Sequence, residues 1–311
     1  MPFKNWLHQI KQLDKKIILE PFSGQNNIPL HLRDSGLTND FACFDIYPKK
    51  SLLDNVEVNL NDSIKHFPGG YKVAVTNPPF LARNSASKNG FRYPRTKYDD
   101  IYKLCLDRML EHCDWVASIV PESFITSNLF TERLHAYVTL TSRMFEKTEF
   151  PVGLALFNPE KSDDFMVYRD DNFLGNYSGL KKYNLEDIDI RSIDITFNDP
   201  NGKLGLIAVD GLKDKIKFVK GDTINSMDIK HYSRAYSRII IKWNDENTLF
   251  PDEKLVKECN HILKKYRTNT HDAFLTAFKN LGSDGRYRRR LDWDTARRII
   301  LMAIKNLKQT K

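Results

Sequence analysis

In this 311-residue chain, the segment Asn77-Pro78-Pro79-Phe80 has the residue types with the most specific chemistry. Two successive prolines hold the backbone extended and remove two N–H donors, so carbonyl oxygens are left free to accept. The Asn77 side-chain oxygen and the Pro78 carbonyl can each take one hydrogen of an exocyclic amine. Held by both hydrogens, the nitrogen loses planarity and turns its lone pair toward an electrophilic methyl group. Phe80 offers a flat face to the ring that bears the amine. No strong general base is required, because the proton leaves after the methyl group arrives. Orientation and in-line approach carry the rate.

Two features upstream suit a nucleoside-like cofactor. The apolar run ending Ile18-Leu19-Glu20 enters a tight turn, Pro21-Phe22-Ser23-Gly24. Gly24, without a Cβ, lets a ligand approach the backbone closely, and Glu20 at the strand tip can accept from an ammonium group. Asp45 closes the next apolar run. An acidic residue about 20 positions after a glycine turn suits a ribose diol, which needs two acceptor oxygens. A lone Asp at a strand end is more often a turn residue, so the weight rests on the combination.

These residues need a scaffold that brings strand ends together. Compact apolar runs at 17–19, 41–44, 73–75 and 115–120 predict buried strands. Between the last two, Ile101, Leu104, Cys105, Met109 and Leu110 recur at helical spacing and predict a helix over 99–113. A short helix is expected over 2–13. Strands alternating with helices predict an α/β fold with a parallel sheet, whose ligands bind at the carboxyl edge of the strands. Two further strands are expected over 139–144 and 152–157, joined as a hairpin. Beyond Asn158-Pro159 the βαβ rhythm is lost. This places a boundary near residue 160, with a catalytic domain over 1–160 and a C-terminal α+β domain over 161–311.

The net charge of +8 fits a polyanionic partner. Its distribution is more telling. Arg83, Lys88, Arg92, Arg95 and Lys97 follow the Asn-Pro-Pro-Phe segment in a polar stretch, expected as a flexible loop over the bound base. Residues 231–238 interleave aromatics with Arg234 and Arg238, and Arg286, Arg288, Arg289 and Arg290 form a dense cationic run. Such arginines clamp phosphates or read guanine. The four cysteines are scattered without metal-site or disulfide spacing, and no metal is expected. No apolar run reaches membrane-spanning length, and a cytoplasmic protein without a membrane partner is expected.

The segments Glu-Pro-Phe-Ser-Gly at 20–24, Cys-Phe-Asp at 43–45, Asn-Asp-Ser-Ile at 61–64 and Thr-Asn-Pro-Pro-Phe at 76–80 occur in that order. Together they resemble the motifs of the N6-adenine DNA methyltransferase family, over about residues 1–158. The resemblance implies S-adenosylmethionine as cofactor, on a Rossmann-like class I methyltransferase sheet with helices on both faces. It implies that Asn77, Pro78, Pro79 and Phe80 are catalytic. Glu20, Phe22 and Gly24 would hold the methionine end of the cofactor, Asp45 its ribose and Asp62 its adenine amino group. The segment 120–124, Val-Pro-Glu-Ser-Phe, would line the target pocket. Phe145, with Phe150 as a rival, would stack on the flipped base beside Phe80. The C-terminal half would recognise the target. Double-stranded DNA is the implied substrate, and a restriction endonuclease the implied functional partner. One departure stands out: Asn26 occupies the place of a second glycine in the cofactor turn, a residue that tolerates left-handed backbone. The Asn-Pro-Pro loop leaves other acceptors open: adenine in RNA, a protein glutamine amide, or a non-catalytic nucleic-acid-binding module on the same fold. Cytosine N4 is disfavoured, since enzymes of that kind more often carry Ser in place of Asn77.

Overall fold

The short apolar runs of the N-terminal half form strands because each can be buried on both faces of a sheet. The computed structural model describes residues 1–142, 144, 151–191, 193–211, 214–229, 235–243, 247–248, 253–282 and 284–309. The chain divides into two units, one of residues 1–140 and 152–176, the other of 141–151 and 177–311.

The first unit begins with α1 (Pro2–His8), β1 (Ile18–Glu20), α2 (Asn27–Asp34), β2 (Phe41–Asp45), β3 (Val58–Leu60) and β4 (Val73–Thr76). It continues with α3 (Arg83–Lys88), α4 (Ile101–His112), β5 (Trp115–Pro121), β6 (Leu134–Thr139), β7 (Val152–Phe157), β8 (Met166–Arg169) and β9 (Asn172–Asn176). The nine strands make one sheet in the order β3-β2-β1-β4-β5-β7-β6-β8-β9. The first five are parallel to their neighbours, and β7 runs antiparallel between β5 and β6. This is an α/β fold whose strand order reverses between β1 and β4, the place where open parallel sheets bind ligands.

Both faces carry helices. Ile18, Val73, Val75, Ala117, Ala136 and Leu156 form one core with Trp6 and Leu7 of α1 and Leu32 of α2. Neighbouring residues along a strand point the other way. On that opposite face, Tyr137 and Phe157 pack against Phe124, which meets Tyr102 of α4. The indole nitrogen of fully buried Trp6 donates to Asn158 Oδ1 at 2.9 Å. Arg133 donates to the carbonyls of Leu110, Cys113, Asp114 and Asn158, at 2.6, 3.0, 2.5 and 2.8 Å. One guanidinium thus joins the end of α4, the start of β5 and the residue after β7.

Several elements differ from expectation. The first helix stops at His8, where Gln9 N and Ile10 N close tighter turns on Trp6 O and Leu7 O, and Gln12 then takes a left-handed φ of 52° before a 3₁₀ turn. The strand expected over 139–144 lies instead at Leu134–Thr139. Its partner β7 offers six residues, and the ladder ends where Leu140 N donates to Val152 O. The expected joining segment lies largely outside the described residues. The sheet also runs past residue 160, since β8 pairs parallel with β6 and β9 pairs with β8.

The second unit is α+β. Its elements are α5 (Tyr177–Lys181), β10 (Asp194–Phe197), β11 (Leu204–Ile207), β12 (Lys217–Lys220), β13 (Tyr236–Trp243), β14 (Asn247–Thr248), α6 (Glu253–Thr270), β15 (Thr276–Leu281), β16 (Tyr287–Arg290) and α7 (Trp293–Gln309). An antiparallel sheet is ordered β10-β13-β11-β12, with β14 on β13. Asn260 of α6 imitates a strand residue toward β12, accepting from Phe218 N at 2.9 Å and donating to Phe218 O at 2.8 Å. Arg267 sits between Asp210 and Asp272 with hydrogen bonds of 2.8 to 3.1 Å to both carboxylates. Among the described residues, no helix is long and apolar enough to cross a membrane.

Gly153 is a position in the first unit with no room for a side chain. A Cβ there would lie 2.3 Å from the hydroxyl oxygen and 2.5 Å from the ring carbon bearing it in Tyr137. That ring is fully buried and tied to Glu122 O at 3.0 Å, so it has no room to retreat. Gly153→Ala is expected to cost about 1–3 kcal/mol of stability, the usual range for overpacking. Urea unfolding checks this, and a midpoint equal to wild type would contradict the packing described.

Candidate active site

Leu19 of β1 pairs with Ala74 of β4, so Glu20 ends its strand beside Val75, with Thr76 one residue further along β4. Thr76 Oγ1 donates to Glu20 Oε1 at 2.5 Å, and Phe22 N donates to the same oxygen at 3.1 Å. Glu20 is 1% exposed. Burial pushes its carboxyl up to about 8; the bonds from Thr76 and Phe22 pull it down, and the Asp45 charge adds to the rise. A carboxyl held this way gives up its proton readily only when a cation arrives to replace it.

The turn after β1 is left-handed twice, at Gly24 (φ 55°) and Asn26 (φ 65°). A Cβ at Gly24 would meet nothing within 4 Å, so the backbone there faces open space. Asp45, at the tip of β2, accepts from Gly24 N at 2.9 Å and from Tyr47 N at 2.8 Å. Each carboxylate oxygen retains a further lone pair. Asn26 takes the left-handed backbone as a non-glycine residue, and its side chain adds a tether. Asn26 Nδ2 donates to Ser51 Oγ at 2.8 Å and to Val56 O at 3.4 Å, while Leu52 N donates to Gln25 O. Residues 51–56 are thereby docked on the turn. Asp62, beyond β3, caps its own turn through Ile64 N and Lys65 N and pairs with Lys65 at 2.7 Å. Burial tends to raise its carboxyl, but the Lys65 bond and the backbone donors outweigh it and hold it below the ordinary value.

Asn77 follows Thr76 directly. Its Oδ1 is buried and has no hydrogen-bond partner. A buried acceptor left unsatisfied costs about 1–3 kcal/mol, so such atoms are rare unless a ligand completes them. Half-buried Phe80 meets the ring of Tyr102 edge-on, with centroids 5.9 Å apart and planes at 84°. Leu81 N donates to Asp100 Oδ1 at 3.0 Å, and Ile101 N donates to Leu81 O at 3.1 Å. Asp100 also caps α4 by accepting from Tyr102 N. The chain leaving Phe80 is therefore clamped to the start of α4.

Glu20, Phe22, Gly24, Asp45, Asp62 and Asn77-Pro78-Pro79-Phe80 thus lie at or just beyond the carboxyl ends of four adjacent parallel strands. Thr76, Asp100 and Tyr102 were not singled out in the sequence. The helix cap of Asp100 is visible there as an acidic residue before an apolar-periodic run. Thr76 and Tyr102 gain roles only from the adjacency of β1 to β4 and from the packing of α4.

The basic segments divide into arginines held by the protein and arginines facing solvent. The stretch expected as a flexible loop contains α3, and Arg83 donates to the carbonyls of Thr96 and Tyr98, both at 2.7 Å. Lys88, Arg92 and Arg95 are exposed. In the second unit, half-buried Arg238 bonds to the carbonyls of Ile224 and Pro200, a structural use of its guanidinium. The run at 286–290 is split by the period of two in β16. Arg288 and Arg290 share one face, with Arg288 over the ring of Phe278 at 5.0 Å, and Arg289 shares the other with buried Tyr287. Arg286 is exposed. Phe145, Phe150 and Arg234 lie outside the described residues. Among the described residues, no group of three His, Cys, Asp or Glu side chains is placed to hold a metal ion.

No protein-family model and no curated protein sequence matches this chain. Solved structures similar to it include the methyltransferase subunit of the type I restriction-modification system from Streptococcus thermophilus, with 14% identity, 53% of this chain and 44% of that one covered, and a TM-score of 0.37. Another is the type IIG restriction endonuclease BpuSI, with 14% identity, coverage of 53% and 25%, and a TM-score of 0.37. A third is the M protein of the type I restriction enzyme EcoKI, with 12% identity, coverage of 95% and 67%, and a TM-score of 0.36. The chain spans less than half the length of the first two.

The raised Glu20 carboxyl has a measurable consequence. The folded unit keeps a proton that the unfolded chain releases, from the ordinary value of 4.5 up to about 8. The stability that this carboxyl contributes is therefore fully present below pH 4.5 and is lost as pH rises through that window. Glu20→Gln, which cannot titrate, should show a melting temperature whose excess over wild type grows by several degrees from pH 4.5 to about pH 8. A difference independent of pH would contradict the burial of an ionisable carboxyl.

Proposed function

We propose that this chain is an S-adenosylmethionine-dependent methyltransferase acting on the N6 amine of adenine in double-stranded DNA. The observation that carries the reading is the buried, unpartnered Oδ1 of Asn77 beside two prolines at the β1/β4 switch point. It is an acceptor without a donor, at the place where a substrate amine would supply one.

The residues present fit the cofactor. Glu20 is a buried acceptor suited to an ammonium group, the Gly24 backbone faces open space, and Asp45 keeps lone pairs for a diol. Glu20, Phe22 and Gly24 would hold the methionine end, Asp45 the ribose and Asp62 the adenine amino group. When bound, S-adenosylmethionine supplies a methyl group on positively charged sulfur. Asn77 Oδ1 and the Pro78 carbonyl accept the two amine hydrogens and aim the nitrogen lone pair. Phe80, propped by Tyr102, stacks on the base. Asp100 holds the following chain so that the acceptors stay in place, which is where orientation earns its rate advantage.

An adenine in a duplex reaches this edge only when flipped out, at a cost of a few kcal/mol. Contacts to the phosphates offset that cost. Lys88, Arg92 and Arg95 are exposed cations of the first unit proposed for this purpose; in the second unit they are exposed Arg286 and half-buried Arg288, Arg289 and Arg290. Arg238 is left out because its guanidinium is already bound to carbonyls. In this reading the enzyme acts in the cytoplasm and marks the sites that a partner restriction endonuclease would otherwise cut.

Methyl-labelled donor, offered with DNA, structured RNA and protein extract in turn, tests the reading. Label is expected in N6-methyladenine from DNA. Label in RNA alone, in glutamine, or in no polymer would each replace the proposal with the corresponding alternative. Asn77→Ala should lower transfer by about 10²–10³-fold, the scale for loss of one preorganised polar contact, with DNA affinity within about twofold of wild type. Arg286→Ala combined with Arg288→Ala should weaken DNA binding and flatten its salt dependence by about two units of slope. An unchanged slope would remove that strand from the interface.

A further inference from the structure

Between the Asn-Pro-Pro-Phe segment and α4 lies a feature that amine capture does not use. α3 ends in a left-handed glycine, Gly90 with φ 69°, and Phe91 N donates back to Ala86 O at 2.9 Å. In helix ends closed this way, the residue after the glycine usually turns its apolar side chain back onto the helix. Phe91 is instead 61% exposed.

The frame that presents it is hydrogen-bonded on the α3 side and where it meets residues 96–101. Ala82 bridges to Asp100, Arg83 N donates to Asp99 O at 2.7 Å, and the Arg83 guanidinium bonds two carbonyls across the segment. Asn89 closes on Ser85 O through both its backbone and its side-chain nitrogen. Ala86, beneath the turn, is fully buried.

Charge indicates what such a surface takes. Residues 81–98 contain Arg83, Lys88, Arg92, Arg95 and Lys97 and no Asp or Glu. Lys88 and Arg92 flank Phe91 closely on either side, and both are exposed. Isolated exposed apolar residues are ordinary on protein surfaces. An aromatic ring on a rigid turn between exposed cations has the composition of a nucleobase platform, in which the ring takes a base face and the cations take the adjoining phosphates.

We propose that Phe91 is a base-stacking residue. It inserts beside the captured nucleotide and stacks on a neighbouring base, while Lys88 and Arg92 hold the flanking phosphates. The identity of the polymer rests on the methyltransferase reading above; the stacking itself is read from the turn. Insertion of an aromatic wedge would also hold open the gap that a flipped base leaves.

The test uses the full chain and adenine-containing DNA oligonucleotides, duplex and single-stranded, in varied flanking contexts. Because Phe91 is exposed, Phe91→Ala should melt with wild type while binding DNA about tenfold more weakly. Phe91→Trp should restore the affinity and show indole emission, above the wild-type background, that is quenched as DNA is added. Wild-type affinity in Phe91→Ala overturns the proposal, as does emission from Phe91→Trp that DNA leaves unchanged. Quenching by anionic lipid vesicles but not by DNA overturns it too. The two readings fail separately. DNA that binds and quenches but takes no labelled methyl keeps the stacking role and removes the transfer. Full methyl transfer by Phe91→Ala with unchanged DNA affinity removes the stacking role and leaves the transfer.

Discussion

The hydrogen bond from Thr76 to Glu20 joins the tips of two strands that are adjacent in space but separated in sequence by β2 and β3. The candidate site depends on it. Glu20 ends the strand before the glycine turn, and Thr76 ends the strand before Asn77. A parallel sheet whose order reverses between these strands leaves a crevice at their carboxyl ends. The bond holds the two walls of that crevice in register. It also gives a buried carboxyl one of its few partners, which is why the residue persists where burial pushes its carboxyl up to about 8.

Around this bond the polar groups fall into two kinds. Most are satisfied inside the protein: Asp45 by the turn it holds, Asp100 by Leu81 and the cap of α4, Arg83 and Arg133 by rows of carbonyls. A few buried atoms are not, and Asn77 Oδ1 is one of them, beside the residue that bonds to Glu20. Satisfied groups build a rigid frame, and an unsatisfied acceptor in a rigid frame is a preorganised one. The aromatic chain from Phe80 through Tyr102 to Phe124 extends that frame into the core of the sheet.

The same division bears on the distribution of charge. In the sequence, Arg83 and Arg238 look like the cations around them. In the structure both donate to backbone carbonyls, Arg83 from an exposed position and Arg238 from a half-buried one, while Lys88, Arg92 and Arg95 are exposed. Formal charge reports how many cations a segment has, and only hydrogen-bond partners show which of them a partner molecule can reach. The strand period in β16 makes a similar cut, distributing a run of arginines over two faces.

By itself the sequence determined β1, β2, β4, β5 and α4, because continuous apolar runs and a 3.6-residue period are local properties that survive without tertiary context. It determined the Asn77-Pro78-Pro79-Phe80 loop for the same reason, since proline geometry acts within the residue and its neighbour. It did not determine β3, β8 or β9, which are short and partly exposed, or the placement of β6 at Leu134–Thr139, which follows from the length of its partner β7. Nor could it show Thr76 against Glu20, Tyr102 beneath Phe80, or the tether from Asn26 to Ser51 and Val56. Those contacts join residues far apart along the chain, and their existence is a property of strand order. Strand order is settled by which buried faces fit together, and no local propensity encodes that.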